Sequence, residues 1–149
     1  MEVYWQDLHH SELSVAQLYQ LLALRNAVFV VEQNCPYQDL DGADLQGENR
    51  HLLAIFDQQL LAYARILAPE SADKPVKIGR VIVSSEARGL SLGHRLMEQA
   101  VATCEHFWPQ HKIFLSAQAH LQDFYGRFGF EPVSEEYLED NIPHIDMQK

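Results

Sequence analysis

The apolar positions of this chain follow two periods that exchange along its length. Ile78, Val81, Ile82 and Val83 form a β-branched run of strand length. From Leu92 the period changes. Leu92, Leu96, Ala100, Cys104 and Trp108 recur at every fourth position, with Met97 and Val101 beside them, which predicts an amphipathic helix ending at Pro109. Between strand and helix lies a turn of small residues around Arg88, Gly89, Ser91 and Gly93. Upstream, residues 3–7 read as a first strand. Ser14 or Ser11 is placed to cap a helix carrying Val15, Leu18, Leu21, Leu22, Ala27 and Val28. Its end, Val28-Phe29-Val30-Val31, is β-branched and fits a strand as well as a helix. Residues 51–56 and 60–67 pair as a hairpin about Asp57-Gln58-Gln59. Further strands are expected at 113–115, 130–133 and 145–147, with a short helix over 120–128 stopped by Gly129. Strands and helices mixed in this order predict one α/β (α+β mixed) domain over residues 1–149 with a central sheet.

A chain of 149 residues is long enough to bury roughly two thirds of its unfolded surface in one core. No apolar run approaches a membrane span, and the start of the chain lacks the basic and apolar regions of a signal peptide. Cys35 and Cys104 are too few for a disulfide framework, so a reducing, cytoplasmic setting is expected. The net charge of −10 argues against nucleic acid or an anionic membrane as the main partner. Against that background Lys74, Lys77, Arg80, Arg88 and Arg95 cluster with Glu86 as the only acid among them after Lys74. A basic strand–turn–helix presents unpaired backbone N–H groups at a helix N-terminus, a place suited to an anionic cofactor.

The segment between residues 32 and 49 carries Pro36, Gly42, Gly47 and the acids Asp39, Asp41, Asp44 and Glu48. It is long for a structureless connection. It reads either as a negative lip that attracts a cation or as a solvated loop. A calcium loop is excluded, because the glycine comes two positions early and Arg50 stands where the last glutamate belongs. The histidines show no metal-ligand spacing, and no metal is expected.

Gly89-Leu90-Ser91-Leu92-Gly93 is a literal G-x-S-x-G, and Asp140 and His144 follow in the order of a hydrolase triad. A nucleophile elbow, however, needs its strand to run directly into the first glycine, and here residues 84–88 intervene. The same residues fit a phosphate cradle, R-x-x-S-x-G, in which small residues admit a diphosphate to the backbone. Some thirty-five residues further, Phe124-Tyr125-Gly126-Arg127-Phe128-Gly129-Phe130 sets a tyrosine on a short helix. With an ordinary pKa of ~10, a tyrosine keeps its proton at neutral pH and can give it to a departing anion.

Together the two motifs resemble the GNAT superfamily of acetyl-CoA-dependent N-acyltransferases. The cradle Q/R-x-x-G-x-G/A is matched by Arg88 and Gly93, with Ser91 in place of the middle glycine. The late signature is matched by Phe124, Tyr125, Gly129 and Phe130. Trp5-Gln6-Asp7-Leu8, the stretch over 28–37, Gln118-Ala119-His120-Leu121 and Ile142-Pro143-His144 resemble the bacterial ElaA-like subgroup.

The resemblance implies a mostly antiparallel twisted sheet of 6–7 strands, splayed at its middle and flanked by about four helices. It implies that Val81 and Val83 pair with the pantetheine arm and that Arg88, Gly89, Leu90, Ser91, Leu92 and Gly93 hold the diphosphate. Gln118, where many members have asparagine, and Phe124 complete the acetyl-CoA site. Tyr125 is the implied general acid. The general base is open among Glu32, His144 and His120. The acceptor is a small amine or peptide amine, and a homodimer is compatible with exposed sheet edges. The rival reading is a catalytically silent acyl-CoA-binding module, motivated by Ser91, Gln118 and the open base.

Overall fold

The computed structural model describes residues 2–149. Strand β1 (Tyr4–His9) pairs antiparallel with β2 (Arg50–Phe56), which turns back into β3 (Gln59–Leu67). Asp57 and Gln58 both adopt positive φ, the backbone of a two-residue hairpin turn whose twist suits the flanking strands. Gln59, anticipated in the turn, already belongs to β3. β4 (Val76–Val83) lies antiparallel to β3, and β5 (Ile113–Gln118) returns parallel to β4 after helix α2 (Leu92–Phe107). β8 (Ile142–Gln148) then pairs with β5. Its other edge is shared by β6 (Glu131–Pro132) and β7 (Tyr137–Glu139).

The result is an eight-stranded, mostly antiparallel sheet in the order β1-β2-β3-β4-β5-β8-β6, with β7 also on β8. This is the mixed α/β architecture expected from the sequence. The strand count exceeds six to seven because β7, at three residues, is too short to display a period. Among the described residues three α-helices accompany the sheet: α1 (Val15–Arg25), α2 and α3 (Gln122–Gly126). Ser14 caps α1, its hydroxyl accepting from Gln17 N–H while the Gln17 side chain returns to Ser14 N–H. The ambiguous β-branched run continues α1 as a π-helical segment, Asn26–Glu32. No described helix is long and apolar enough to cross a membrane.

α2 packs Leu92, Leu96, Met97, Ala100, Val101 and Cys104 against one face of the sheet. Leu21 and Val28 pack against the other. Strand alternation sorts the residues between the faces: Leu52, Ala54, Ala62, Ala64 and Ile66 meet α2, while Leu53 and Tyr63 meet α1. β4 breaks the alternation. Ile78 faces α2 and Ile82 faces α1, although both stand at even positions. The cause is a bulge at Arg80, whose φ is 50°: two residues of β4, Arg80 and Val81, oppose the single Ala64 of β3. Beyond the bulge every side chain changes face, which turns Val81 and Val83 toward the α2 side.

The Arg80 side chain holds this bulge to the segment after the π-helical turn. Its Nε donates to Asp39 Oδ1 at 2.8 Å. The other oxygen of Asp39 accepts from Nε of the wholly buried Arg25 at 2.8 Å, and the Asp39 carbonyl accepts from both guanidinium groups at 3.0 Å. Arg25 also reaches Asp44 at 2.6 Å, and Arg65 donates to Asp41 and Asp44. The bidentate Arg65 holds the Asp41 carboxyl well below the usual carboxylate range. His51 closes the network, bonding the Asp44 carbonyl at 2.8 Å and the Tyr63 hydroxyl at 2.6 Å. The acids at 39, 41 and 44 are therefore neither a negative lip nor a solvated face. Each is neutralised by arginine.

Breaking a buried pair strands its partner's charge, which costs ~3–5 kcal/mol. Arg25→Met is expected to lower stability by about that amount in a urea titration, whereas Glu48→Ala on the surface stays within ~0.5 kcal/mol. Equal midpoints for the two variants would refute the assignment.

Candidate acyl-CoA site

β4 and β5 are joined by two residue pairs only, Val76 with Ile113 and Lys77 with Phe114. Beyond them the strands part, and the gap opens into a cavity of about 530 Å³. Val81, Gln118, Tyr125 and His144 all line it. The β5–β8 register sets Gln118 directly opposite His144, and α3, following β5 after one short turn, brings Tyr125 to the same wall.

The free edge of β4 carries backbone groups without a strand partner. Ser84 N–H donates to the Leu61 carbonyl of β3 at 2.8 Å. Backbone direction alternates along a strand, so Val81 and Val83 turn their N–H and C=O groups away from β3. In keeping with this, the Val83 carbonyl accepts from Arg88 Nε at 3.2 Å rather than from β3.

Past β4 the chain makes a 3₁₀ turn (Ser85–Ala87), so no strand runs into Gly89 and the nucleophile-elbow reading has no structural basis. Gly89 has φ +88°, a conformation that L side chains rarely adopt. Ser91 is left-handed at φ 59°, ψ 20° and stands at the N-cap of α2 without capping it. No other side chain among the described residues caps that terminus, so the first N–H groups of a sixteen-residue helix face an open turn. Gly93 sits under Phe124 and Val83: a Cβ there would lie 3.6 Å from Phe124 Cζ and 3.8 Å from Val83 Cγ2. Cradle, strand end and α3 thus meet at one glycine. The turn fits a diphosphate by its open, uncapped backbone.

The basic cluster is divided in its use. Arg80 belongs to the buried network, Arg95 lies over the Trp5 ring, and Arg88 Nη2 donates to Glu32 Oε2 at 2.7 Å. Glu32 therefore flanks the cradle, outside the residues lining the cavity. His120 is exposed and likewise outside them. His144 lines the cavity. Its Nδ1 donates to the Ile142 carbonyl at 2.7 Å, which leaves Nε2 with the lone pair, 3.5 Å from Glu139 Oε2. Tyr125 is 7% exposed, and its hydroxyl makes no hydrogen bond among the described residues. Burial pushes its pKa up to about 12.

Several lining residues were given no place in an acyl-CoA site by the sequence reading: Gln33, Cys35, Tyr37, Ser116, Glu139 and Asp140, the last named only in the rejected hydrolase order. The Cys35 thiol donates to the Asp140 carbonyl at 3.7 Å, joining the segment after the π-helical turn to the β7–β8 turn across the cavity. No local pattern announces such a contact between positions 105 apart. Adjacent acids in a turn, Glu139-Asp140, were the one available signal.

A parted central strand pair, a glycine-bearing uncapped helix start and a buried tyrosine in one cleft define an acyl-CoA transferase fold. Residues 11–149 match the family described as Acetyltransferase (GNAT) domain, and the chain belongs to that family. Protein ElaA of Escherichia coli (strain K12) is 61% identical over 145 residues, covering 97% of this chain and 95% of that protein. The crystal structure of Escherichia coli ElaA superposes with a TM-score of 0.95 at 59% identity, over 99% of each chain. An acyl-CoA N-acyltransferase from Pseudomonas aeruginosa does so with a TM-score of 0.95 at 53% identity, also over 99% of each chain. Acyl transfer from an acyl-CoA co-substrate is the chemistry of this family.

Ser91→Gly tests the cradle backbone. A left-handed non-glycine residue costs ~1–2 kcal/mol, partly offset by glycine's greater unfolded freedom. Ser91 makes no cap bond that the change would remove. The variant is expected to melt about 1–4 °C higher by differential scanning calorimetry, and a lower melting temperature would contradict the strain argument.

Proposed function

We propose that the chain is an acetyl-CoA-dependent N-acetyltransferase of the cytoplasm that acylates a primary amine by direct attack on the thioester. The observation that carries this reading is Tyr125, a buried residue whose hydroxyl has no hydrogen-bond partner among the described residues and which lines the cavity that opens beside the free edge of β4. Backbone groups of Val81 and Val83 are free to pair with the pantetheine arm, and a backbone N–H on that edge polarises the thioester carbonyl. Arg88 and the backbone from Gly89 through Leu90, Ser91 and Leu92 to Gly93 hold the diphosphate, with Phe124 packed against Gly93. Gln118 supplies an amide to the arm.

The acceptor nitrogen attacks the carbonyl carbon, the new C–N bond forms and the C–S bond breaks. Sulfur leaves as a thiolate and takes the Tyr125 proton, which burial keeps in place through neutral pH. The acceptor ammonium first gives one proton to His144 Nε2, the free lone pair on the cavity wall, and after attack the nitrogen gives its second to the Tyr125 phenolate, which restores the tyrosine. His144 is preferred to Glu32 as base because Glu32 is engaged by Arg88 at the cradle.

Ligand at about 100 times its Kd adds ~2.7 kcal/mol to stability. Millimolar acetyl-CoA is therefore expected to raise the melting temperature clearly, and an unchanged melt would remove the acyl-CoA reading. Tyr125→Phe is expected to keep that thermal shift while slowing thiol release roughly ten- to a hundredfold, the lower range for a general acid because a thiolate leaves readily. Wild-type rates in this variant would remove Tyr125 from the chemistry. Thiol release with amines also separates the enzyme from a silent binding module.

A further inference from the structure

The charges around the cavity narrow the class of acceptor. Asp41 lines the cavity but is matched by Arg65 at 2.8 Å and Arg80 at 3.5 Å. Arg80 is in turn matched by Asp39. These groups cancel within the protein. Lys77 lies at the closed end of the gap, where its strand position still pairs with Phe114 of β5. Two acids remain at the open end, Glu139 and Asp140. They sit where β7 turns into β8, past the last β5–β8 pair, Gln118 with His144.

Their partners differ. Glu139 has His144 Nε2 at 3.5 Å, a contact that becomes an ion pair when the imidazole takes up a proton. The Asp140 carboxylate makes no hydrogen bond or ion pair among the described residues, while its carbonyl is tied to the Cys35 thiol. Asp140 and Asn141 both have positive φ, which fixes the turn as a tight two-residue one. These acids line the same cavity as Tyr125, which is 7% exposed and whose hydroxyl has no hydrogen-bond partner among the described residues.

The nitrogen that attacks the thioester is neutral when it does so. A carboxylate that serves only that nitrogen loses its attraction at the moment of reaction. Glu139 has the imidazolium to face at that point, whereas Asp140 has nothing.

We infer, resting on the acyltransferase reading, that the acceptor is a diamine-type substrate whose second, unreacting ammonium is held by the Asp140 carboxylate at the β7–β8 turn. The substrate class is thus a short-chain amine carrying a second positive charge, excluding amino acids whose free carboxylate would face Asp140. Both charges persist until deprotonation of one, which also steers the substrate into an acidic mouth.

The test uses three near-isosteric acceptors, 1,4-diaminobutane, 1-aminobutane and 4-aminobutanoate, with the full-length protein and saturating acetyl-CoA, followed by thiol release. The expected order of kcat/KM is diamine, monoamine, amino acid. In Asp140→Asn the diamine-to-monoamine ratio is expected to fall by about fivefold, through KM, as befits a solvent-exposed charge pair. A native ratio of one, a preference for 4-aminobutanoate, or a ratio unchanged in Asp140→Asn overturns the inference. Thermal stabilisation by acetyl-CoA without turnover of any of the three overturns it too, and leaves acyl-CoA binding standing. Absence of that stabilisation removes both readings together.

Discussion

Asp39 is the point on which the two halves of this site depend. One of its carboxylate oxygens is bonded to Arg25 at the end of α1 and the other to Arg80 in the bulge of β4. A carboxylate with 5% exposure is stable only with its charge answered, and here two arginines answer it from opposite sides. The geometry leaves β4 little freedom. Arg80 in a left-handed backbone is unfavourable on its own, and its two contacts with Asp39 compensate. The bulge in turn carries Val81 and Val83 to the α2 side and turns their backbone to the gap. A pairing outside the glycine turn thus decides how the free edge of β4 is presented.

Much of the fold was legible because its large elements bury one face each. The four-residue repeat from Leu92 and the cap at Ser14 correspond to α2 and α1 with little error, as helical periods and capping chemistry are local. β7 and the bulge were not legible. Three residues show no period, and nothing in Gly79-Arg80-Val81 distinguishes a bulge from regular strand until the partner strand is known. Of the site, the glycine turn and Tyr125 could be read from local motifs. The roles of Asp39, Asp41 and Asp44 could not, since the arginines that neutralise them come from α1, β3 and β4. A sequence shows a charge; only a fold shows whether it has been spent.

The same distinction governs the basic stretch. Counted along the chain, Arg80, Arg88 and Arg95 look like a single anion site. In space they serve a buried network, the cradle rim and an indole face. What makes the turn attractive to an anion is therefore chiefly backbone: an uncapped helix start and two residues with positive φ, Gly89 and Ser91. Side-chain charge is secondary there, and Arg88 already has a carboxylate beside it.

The parting of β4 from β5 has a consequence for the life of the free protein. A sheet interrupted at its middle has four edges instead of two, and an unpaired strand edge is a template on which other chains can pair and aggregate. Here the two additional edges face one another within the molecule, and the tie from Cys35 to Asp140 lies on the wall of the cavity they open into. Two residue pairs at the base keep the halves in register. The interruption thus hides its own hazard: the bonding groups of the parted edges are turned inward and away from other polypeptides.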